Sequence, residues 1–213
     1  MIETETMRGR PRPAFTKERF YVDHMMKHGM ALYRRHINRY KWAANYLTSE
    51  MDILDAGCGS GYGDYILLNN CLKVMAIDQS AEAIEYAIYK AESLNEKRIK
   101  YGVSTLQDYM ANPSRFHTIV CIEVIEHLSE ENQHAFMAGM KNAFFRKEDA
   151  LLLITTPIKK GTNVIWTEYH EHEFTKSEFQ DFLSTYFKDI KFDDQKKWNI
   201  PHDFLLAVCR GIK

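Results

Sequence analysis

The 213-residue sequence has only four cysteines, Cys58, Cys71, Cys121 and Cys209, and none of them forms a CxxC pair. That leaves no paired-cysteine metal or redox motif. Cys121 and Cys209 lie in apolar, strand-like runs and read as core residues of a reducing compartment. No apolar run approaches the length of a bilayer span. The N-terminus, MIETETMRGRPRP, lacks the apolar core of a signal peptide, so a cytoplasmic protein with no membrane partner is expected. Internal repeats and low-complexity tracts are absent. Net charge is nearly absent too, at −1, and argues neither for nor against a nucleic-acid partner. Its distribution is uneven: residues 1–48 hold ten basic and four acidic side chains, the remainder 18 and 25. A basic front on an acidic body fits an anionic ligand near the front, or simply a solvated basic face.

What is present is an ordinary globular composition, 45% hydrophobic and 27% charged, long enough for one domain with a sizeable core. Residues 1–48 read as a flexible tail followed by a helical segment, Phe15 to Leu47, with Met26, Met30, Tyr33 and Ile37 at spacings of three and four. Its aromatic–basic run RRHINRYKW predicts a lid over the site. From residue 49 to 213 short apolar runs alternate with helical stretches. MDILDA, LKVMAID, RIKYGV, FHTIVCI and ALLLITTP read as strands. YGDYILLNN (62–70), residues 80–94, 129–145 and 175–186 read as helices, three of them behind the capping residues Ser80, Ser129 and Thr175. KDIKFDDQ and HDFLLAVCR close the chain as a strand pair. This alternation predicts a parallel sheet covered on both faces, with ligands beyond the carboxyl ends of its strands. Functional residues are therefore expected at 55–61, 78–79, 104–108, 123–127 and 156–170.

ILDAGCGSGYG places Gly57, Gly59 and Gly61 between a strand and a helix. Glycines there permit positive φ and close approach of a ligand to the backbone. Asp55 stands before them, and Asp78 follows the next strand about 20 residues later, where a ribose-binding carboxylate belongs. ILDAGCGSGYG together with VMAIDQS resembles the class I S-adenosylmethionine-dependent methyltransferases, and FHTIVCIEVIEHL and LLLITTP resemble the family's later motifs. The resemblance implies a Rossmann-like, seven-stranded, mostly parallel α/β sheet with its last strand antiparallel. It implies S-adenosylmethionine as cofactor, with Asp55, Gly57, Cys58, Gly59 and Gly61 around the methionine part. Asp78 and Gln79 would lie at the ribose, Ser104 to Leu106 near the adenine, and Glu123 beside the cofactor. Where many relatives carry an acid after the third strand, this chain has Ser104.

CIEVIEHL then brings Glu123, Glu126 and His127 at i, i+3 and i+4, a spacing that puts three side chains on one helical face. Acids in a first helical turn also suit the helix dipole. Two carboxylates and an imidazole facing one point repel unless a cation or proton lies between them, and such donors suit Mg²⁺, Mn²⁺ or Zn²⁺. WTEYHEHEFTKSEF follows the fifth strand and offers His170 or His172 as a fourth ligand. ExxEH followed by HxxEFT resembles metal-dependent O-methyltransferases acting on RNA 3′-end ribose or on catechol-like quinone precursors, and methyltransferases of sugars and glycans. That resemblance selects His170 and sets Glu123, Glu126, His127 and His170 as metal ligands, with His127 and His170 as catalytic candidates. Without a metal, either histidine could serve as general base. Trp42, Trp166 and Trp198 read as core or pocket wall. The leading expectation is an O-methyltransferase of a hydroxylated small molecule, foremost a sugar or glycan, assisted by Mg²⁺ or Mn²⁺. RNA ribose and a catechol-like quinone precursor are the alternatives.

Overall fold

The computed structural model describes residues 6–7, 10–11, 30–159 and 169–213. Helix α1 (Met30–Ala44) precedes β1 (Asp52–Ala56). The chain then runs α2 (Asp64–Leu68), β2 (Lys73–Asp78), α3 (Ala81–Ser93), β3 (Ile99–Val103), α4 (Leu106–Ala111), β4 (Thr118–Ile122), α5 (Glu130–Gly139), β5 (Leu151–Pro157), α6 (Lys176–Tyr186), β6 (Phe187–Phe192) and β7 (Phe204–Ile212). The sheet order is β3-β2-β1-β4-β5-β7-β6. β7 is antiparallel to both of its neighbours, and the other pairings are parallel. Two two-residue strands, Thr6–Met7 and Arg10–Pro11, pair antiparallel outside this sheet. The seven-stranded, mostly parallel sheet with an antiparallel last strand agrees with the sequence.

Strand side chains alternate between two cores, as a period of two demands. Leu54, Ile119, Cys121, Leu152, Ile154, Ala207 and Cys209 face one, with Met110 of α4, Phe136 of α5 and Phe179 of α6. Ile53, Val120, Ile122, Leu151, Leu153 and Val208 face the other, with Trp42 of α1, Leu67 of α2 and Ile84 of α3. Burial on both faces explains why β4 and β5 read as unbroken apolar runs. All four cysteines are free and buried.

The three expected caps form. Ser80 Oγ accepts from Ala83 N–H at 3.2 Å and Ser129 Oγ from Asn132 N–H at 3.4 Å. Thr175 and Glu178 make a reciprocal capping box. Two helices are shorter than the sequence suggests. The 62–70 segment is helical only over Asp64–Leu68, and 129–145 ends as α-helix at Gly139, followed by a 3₁₀ turn Met140–Asn142. At Gly139 a Cβ would stand 2.5 Å from Met110 Cβ, so glycine lets α5 and α4 touch.

The expected lid is only partly within the described residues; 12–29 lie outside them. The part that is described is anchored. Tyr40, Trp42, Ala43 and Ala44 are buried, and Trp42 Nε1–H donates to Asp193 Oδ2 at 2.9 Å, with Tyr46 O–H donating to the same oxygen. Inserted in the core this way, the described part of the helix forms a wall of the site.

Candidate active site

A cavity of about 590 Å³ opens at the carboxyl ends of β1, β2 and β4. The glycine loop forms its floor. Gly57 and Cys58 N–H both donate to the Ile77 carbonyl at 2.9 Å, folding the loop back onto β2. Gly59 has φ +56°, and a Cβ there would meet no atom within 4 Å. The loop therefore leaves room for a ligand against its backbone. Gly59 N–H donates to Asp78 Oδ2 at 2.9 Å and Ser80 N–H to Oδ1 at 2.8 Å. One carboxylate thus braces the loop against the start of α3, and each oxygen keeps a lone pair for a further donor.

The sequence-selected residues Gly57, Cys58, Gly59, Asp78, Gln79, Ser104, Leu106, Glu123 and His127 all line this cavity. Gly61, Asp55, Glu126 and His170 do not. Gly61 is a packing residue, since a Cβ there would lie 2.6 Å from Tyr101 Oη. Asp55 is fully buried beneath the loop, on the α1–α3 face of β1, where it meets Asp64 of α2 and Tyr40 of α1. Burial raises its carboxyl to about 6; hydrogen bonds from Asp64 and Tyr40 oppose the shift. Burial and the Asp55 charge push Asp64 up much further. The two buried acids therefore cannot both ionise cheaply, and they compete for a proton.

Helix α1 supplies His36 and Tyr40 to the cavity wall, and Tyr62 joins them. These residues were not singled out from the sequence, although His36, Arg39 and Tyr40 stand at i, i+3 and i+4 on one face of the predicted helix. Arg39 is buried, lies 4.2 Å over the Phe204 ring, and reaches Glu123 Oε2 at 3.6 Å. Burial and the Arg39 charge hold the His36 imidazole well below its usual range.

The expectation that Glu123, Glu126 and His127 share a face of an α-helix is not met. Glu123 has φ +57°, and a 3₁₀ turn of three residues, Ile125–His127, follows it. The left-handed residue swings the Glu123 side chain away from the other two. It accepts from Thr155 Oγ1 at 2.7 Å and pairs with Arg39. Among the described residues, Glu126, His127 and His170 do gather, with candidate ligand atoms within 4.8 Å of one another, and Glu123 is not of that group. Fully buried Glu126 accepts from Thr156 Oγ1 at 3.2 Å. Burial, then the charge of Glu123, push its carboxyl well up.

The loop after β5 is strapped to this turn. Glu171 and His172 N–H donate to the Glu126 carbonyl at 2.8 and 3.1 Å. Buried Gln133 of α5 donates to the carbonyls of Ile125 and Leu128. His127 Nδ1 lies 3.0 Å from the Tyr169 carbonyl, an acceptor only, so Nδ1 carries the proton and Nε2 presents a lone pair. His170 Nδ1 lies 2.6 Å from Glu173 Oε1. Two imidazoles backed by oxygen at Nδ1, beside one carboxylate, form a donor set that suits a divalent ion. His172, the alternative ligand in the sequence, instead packs 4.3 Å from the Phe174 ring and faces Gln133. Trp42 is core, Trp198 packs against the same core, and Trp166 lies outside the described residues.

A Rossmann-like sheet in this order, with its glycine loop, Asp78 and the ExxEH turn at one edge, has the fold of the class I methyltransferases. A family model described as "Methyltransferase domain" matches residues 53–144. The chain is 35% identical over 109 residues to "Ubiquinone biosynthesis O-methyltransferase" of Glaesserella parasuis serovar 5; the match covers 49% of this chain and 44% of that protein. This chain thus spans about half the length of that relative. In structure it is similar to the small RNA methyltransferase HEN1 (TM-score 0.68, 18% identity, 95% of this chain and 27% of that one). It is also similar to the N-methyltransferase NodS of Bradyrhizobium japonicum in complex with S-adenosyl-L-homocysteine (TM-score 0.60, 16% identity, 84% and 86%). At these identities the structural likeness establishes the fold alone. Among the described residues no helix is long and apolar enough to cross a membrane.

Proposed function

We propose that the protein is an S-adenosylmethionine-dependent O-methyltransferase. Its acceptor is a small aromatic molecule with two neighbouring hydroxyls, and Glu126, His127 and His170 hold a divalent ion, Mg²⁺ or Mn²⁺, at the acceptor. The observation that carries this reading is the cluster of Glu126, His127 and His170 at the edge of the glycine-loop cavity. The sugar acceptor expected from the sequence gains no support from the curated relative reported above, whose name places it in ubiquinone biosynthesis. The catechol-like alternative is therefore preferred, and the RNA reading rests on fold similarity alone.

In this reading the glycine loop admits the cofactor, and Asp78 accepts hydrogen bonds from its ribose hydroxyls. The cofactor supplies an electrophilic methyl group, and the divalent ion, when bound, lowers the pKa of the hydroxyl that attacks it. The protein's own part is alignment and exclusion of water. Tyr40 and Tyr62 close one wall. Gln133 and the Glu171–His172 strap fix the turn that carries Glu126 and His127. In the absence of an ion, His127 Nε2, left as the acceptor atom by the Nδ1 contact with Tyr169, can take the hydroxyl proton.

The test is transfer of labelled methyl from S-adenosylmethionine to an alkylated 1,2-dihydroxybenzene, a hexose and a short RNA, before and after chelation. The dihydroxybenzene should be methylated, activity should vanish on chelation, and Mn²⁺ or Mg²⁺ should restore it. Full activity after chelation, with loss in His127→Ala, would replace the metal reading with His127 as base. Methylation of the hexose or the RNA alone would overturn the acceptor class.

A further inference from the structure

We propose that Glu173 is a positioning residue that sets the tautomer of His170 and strengthens it as a ligand; this rests on the divalent-ion reading above. Glu173 Oε1 lies 2.6 Å from His170 Nδ1, three residues back along the chain, and the two side chains are 2% and 10% exposed. That separation is a short, close contact, and its burial removes the competition of water that weakens surface pairs. A carboxylate at Nδ1 keeps the proton there and leaves Nε2 as the donor atom.

The post on which Glu173 stands is rigid. Lys159 N–H donates to the Phe174 carbonyl at 2.8 Å, and Ile158 and Phe174 form a bridge beside the end of β5. Phe174 is buried, and the capping box of α6 begins at the next residue. Glu173 is therefore fixed from both sides. The two imidazoles of the cluster differ in kind: His127 is backed by a neutral carbonyl, His170 by an anion. Of the two, His170 is the one whose ligand strength depends on a side chain that substitution can remove.

The experiment uses the full chain, with wild type, Glu173→Gln, Glu173→Ala and His170→Ala. Mn²⁺ affinity is read by electron paramagnetic resonance, and the histidine tautomers of metal-free protein by ¹⁵N NMR. Glu173→Gln keeps an acceptor at Nδ1 and loses the charge, so Mn²⁺ binding should weaken roughly tenfold with the tautomer preserved. Glu173→Ala should mix the tautomers and weaken Mn²⁺ by up to about 100-fold. Affinity for S-adenosylhomocysteine should stay near wild type in both, which also reports folding; the near-isosteric Gln variant carries the test if the Ala variant is unstable. Wild-type tautomer and Mn²⁺ affinity in both Glu173 variants, with weakened binding in His170→Ala, would overturn the positioning role and leave the metal reading standing. A wild-type protein that binds no Mn²⁺ would overturn both.

Discussion

Replacing Asp64 by asparagine should make the protein more stable at alkaline pH. Asp55 and Asp64 are both fully buried under the glycine loop, on the face of the sheet covered by α1–α3. Two carboxylates in one water-excluded space cannot both ionise cheaply. Burial raises Asp55 to about 6, against the opposing hydrogen bonds from Asp64 and Tyr40. Burial and the Asp55 charge hold Asp64 well above the carboxylate range. Both folded values lie above the unfolded ones, so the folded state binds more protons than the unfolded chain. Stability from the pair is fullest below the ordinary carboxyl pKa of about 4 and falls as pH rises through the folded values. Each proton that the folded state keeps beyond the unfolded chain costs about 1.4 kcal/mol per pH unit as pH rises between the unfolded and folded values.

Asparagine at 64 donates its amide hydrogen to Asp55 and does not titrate. Urea unfolding at pH 6, 7 and 8 should show wild type losing more stability with rising pH than Asp64→Asn. Asp64→Ala, which leaves Tyr40 as the remaining donor to Asp55, should be destabilised by about 1–3 kcal/mol relative to Asn. Parallel stability curves for wild type and Asp64→Asn would refute the competition for a proton.

Asp78→Ala should weaken S-adenosylhomocysteine binding by about 10- to 100-fold, corresponding to charged hydrogen bonds of roughly 1.5–3 kcal/mol. It also releases Gly59 and Ser80 N–H; unchanged affinity in calorimetry would remove Asp78 from the site. Asp193→Ala removes the acceptor shared by Trp42 and Tyr46, and should destabilise the fold by about 1.5–3 kcal/mol. Hydrogen exchange should rise selectively in 34–47, and an unchanged pattern there would mean that packing alone seats α1. Gly63→Ala should also loosen α1 against α2, because its Cβ would fall 2.2 Å from the Tyr40 ring; a melting temperature equal to wild type would show that Tyr40 yields freely.

The features visible in the sequence are those with local causes. Caps at Ser80, Ser129 and Thr175 depend on a side chain and an amide three residues on. The positive-φ glycines and the strand runs are likewise written in consecutive residues. Helix lengths were less visible, because α5 stops being α-helical where Gly139 meets Met110, a contact between segments about 30 residues apart in the chain. The Asp55–Asp64 pair was half visible. The period of β1 puts Asp55 on the same face as Ile53, but nothing in the α2 segment announces that Asp64 turns inward to meet it.

The ExxEH turn brings two of its three charged side chains to His170, through a geometry other than the expected helix face. Spacing i, i+3, i+4 suggests three donors on one helix face, yet β4 ends at Ile122 and the chain has no room to start a helix at once. Glu123 takes the left-handed conformation, at a cost of about 1–2 kcal/mol for a residue with a Cβ. Its bonds to Thr155 and Arg39 hold it there. Arg39 comes from α1, 84 positions earlier, so no local pattern could reveal that this acid is already partnered. Glu126 and His127 survive as neighbours because even a single 3₁₀ turn keeps adjacent residues close. His170 reaches them because the loop after β5 bonds directly to the Glu126 carbonyl. The sheet thus brings His170 to Glu126 and His127, while the first acid of the motif is diverted to tie the N-terminal helix to the cavity wall. A variant that frees Glu123, such as Arg39→Met, should therefore loosen α1 in hydrogen exchange before it alters Mn²⁺ affinity. The reverse order would place Glu123 among the ligands after all.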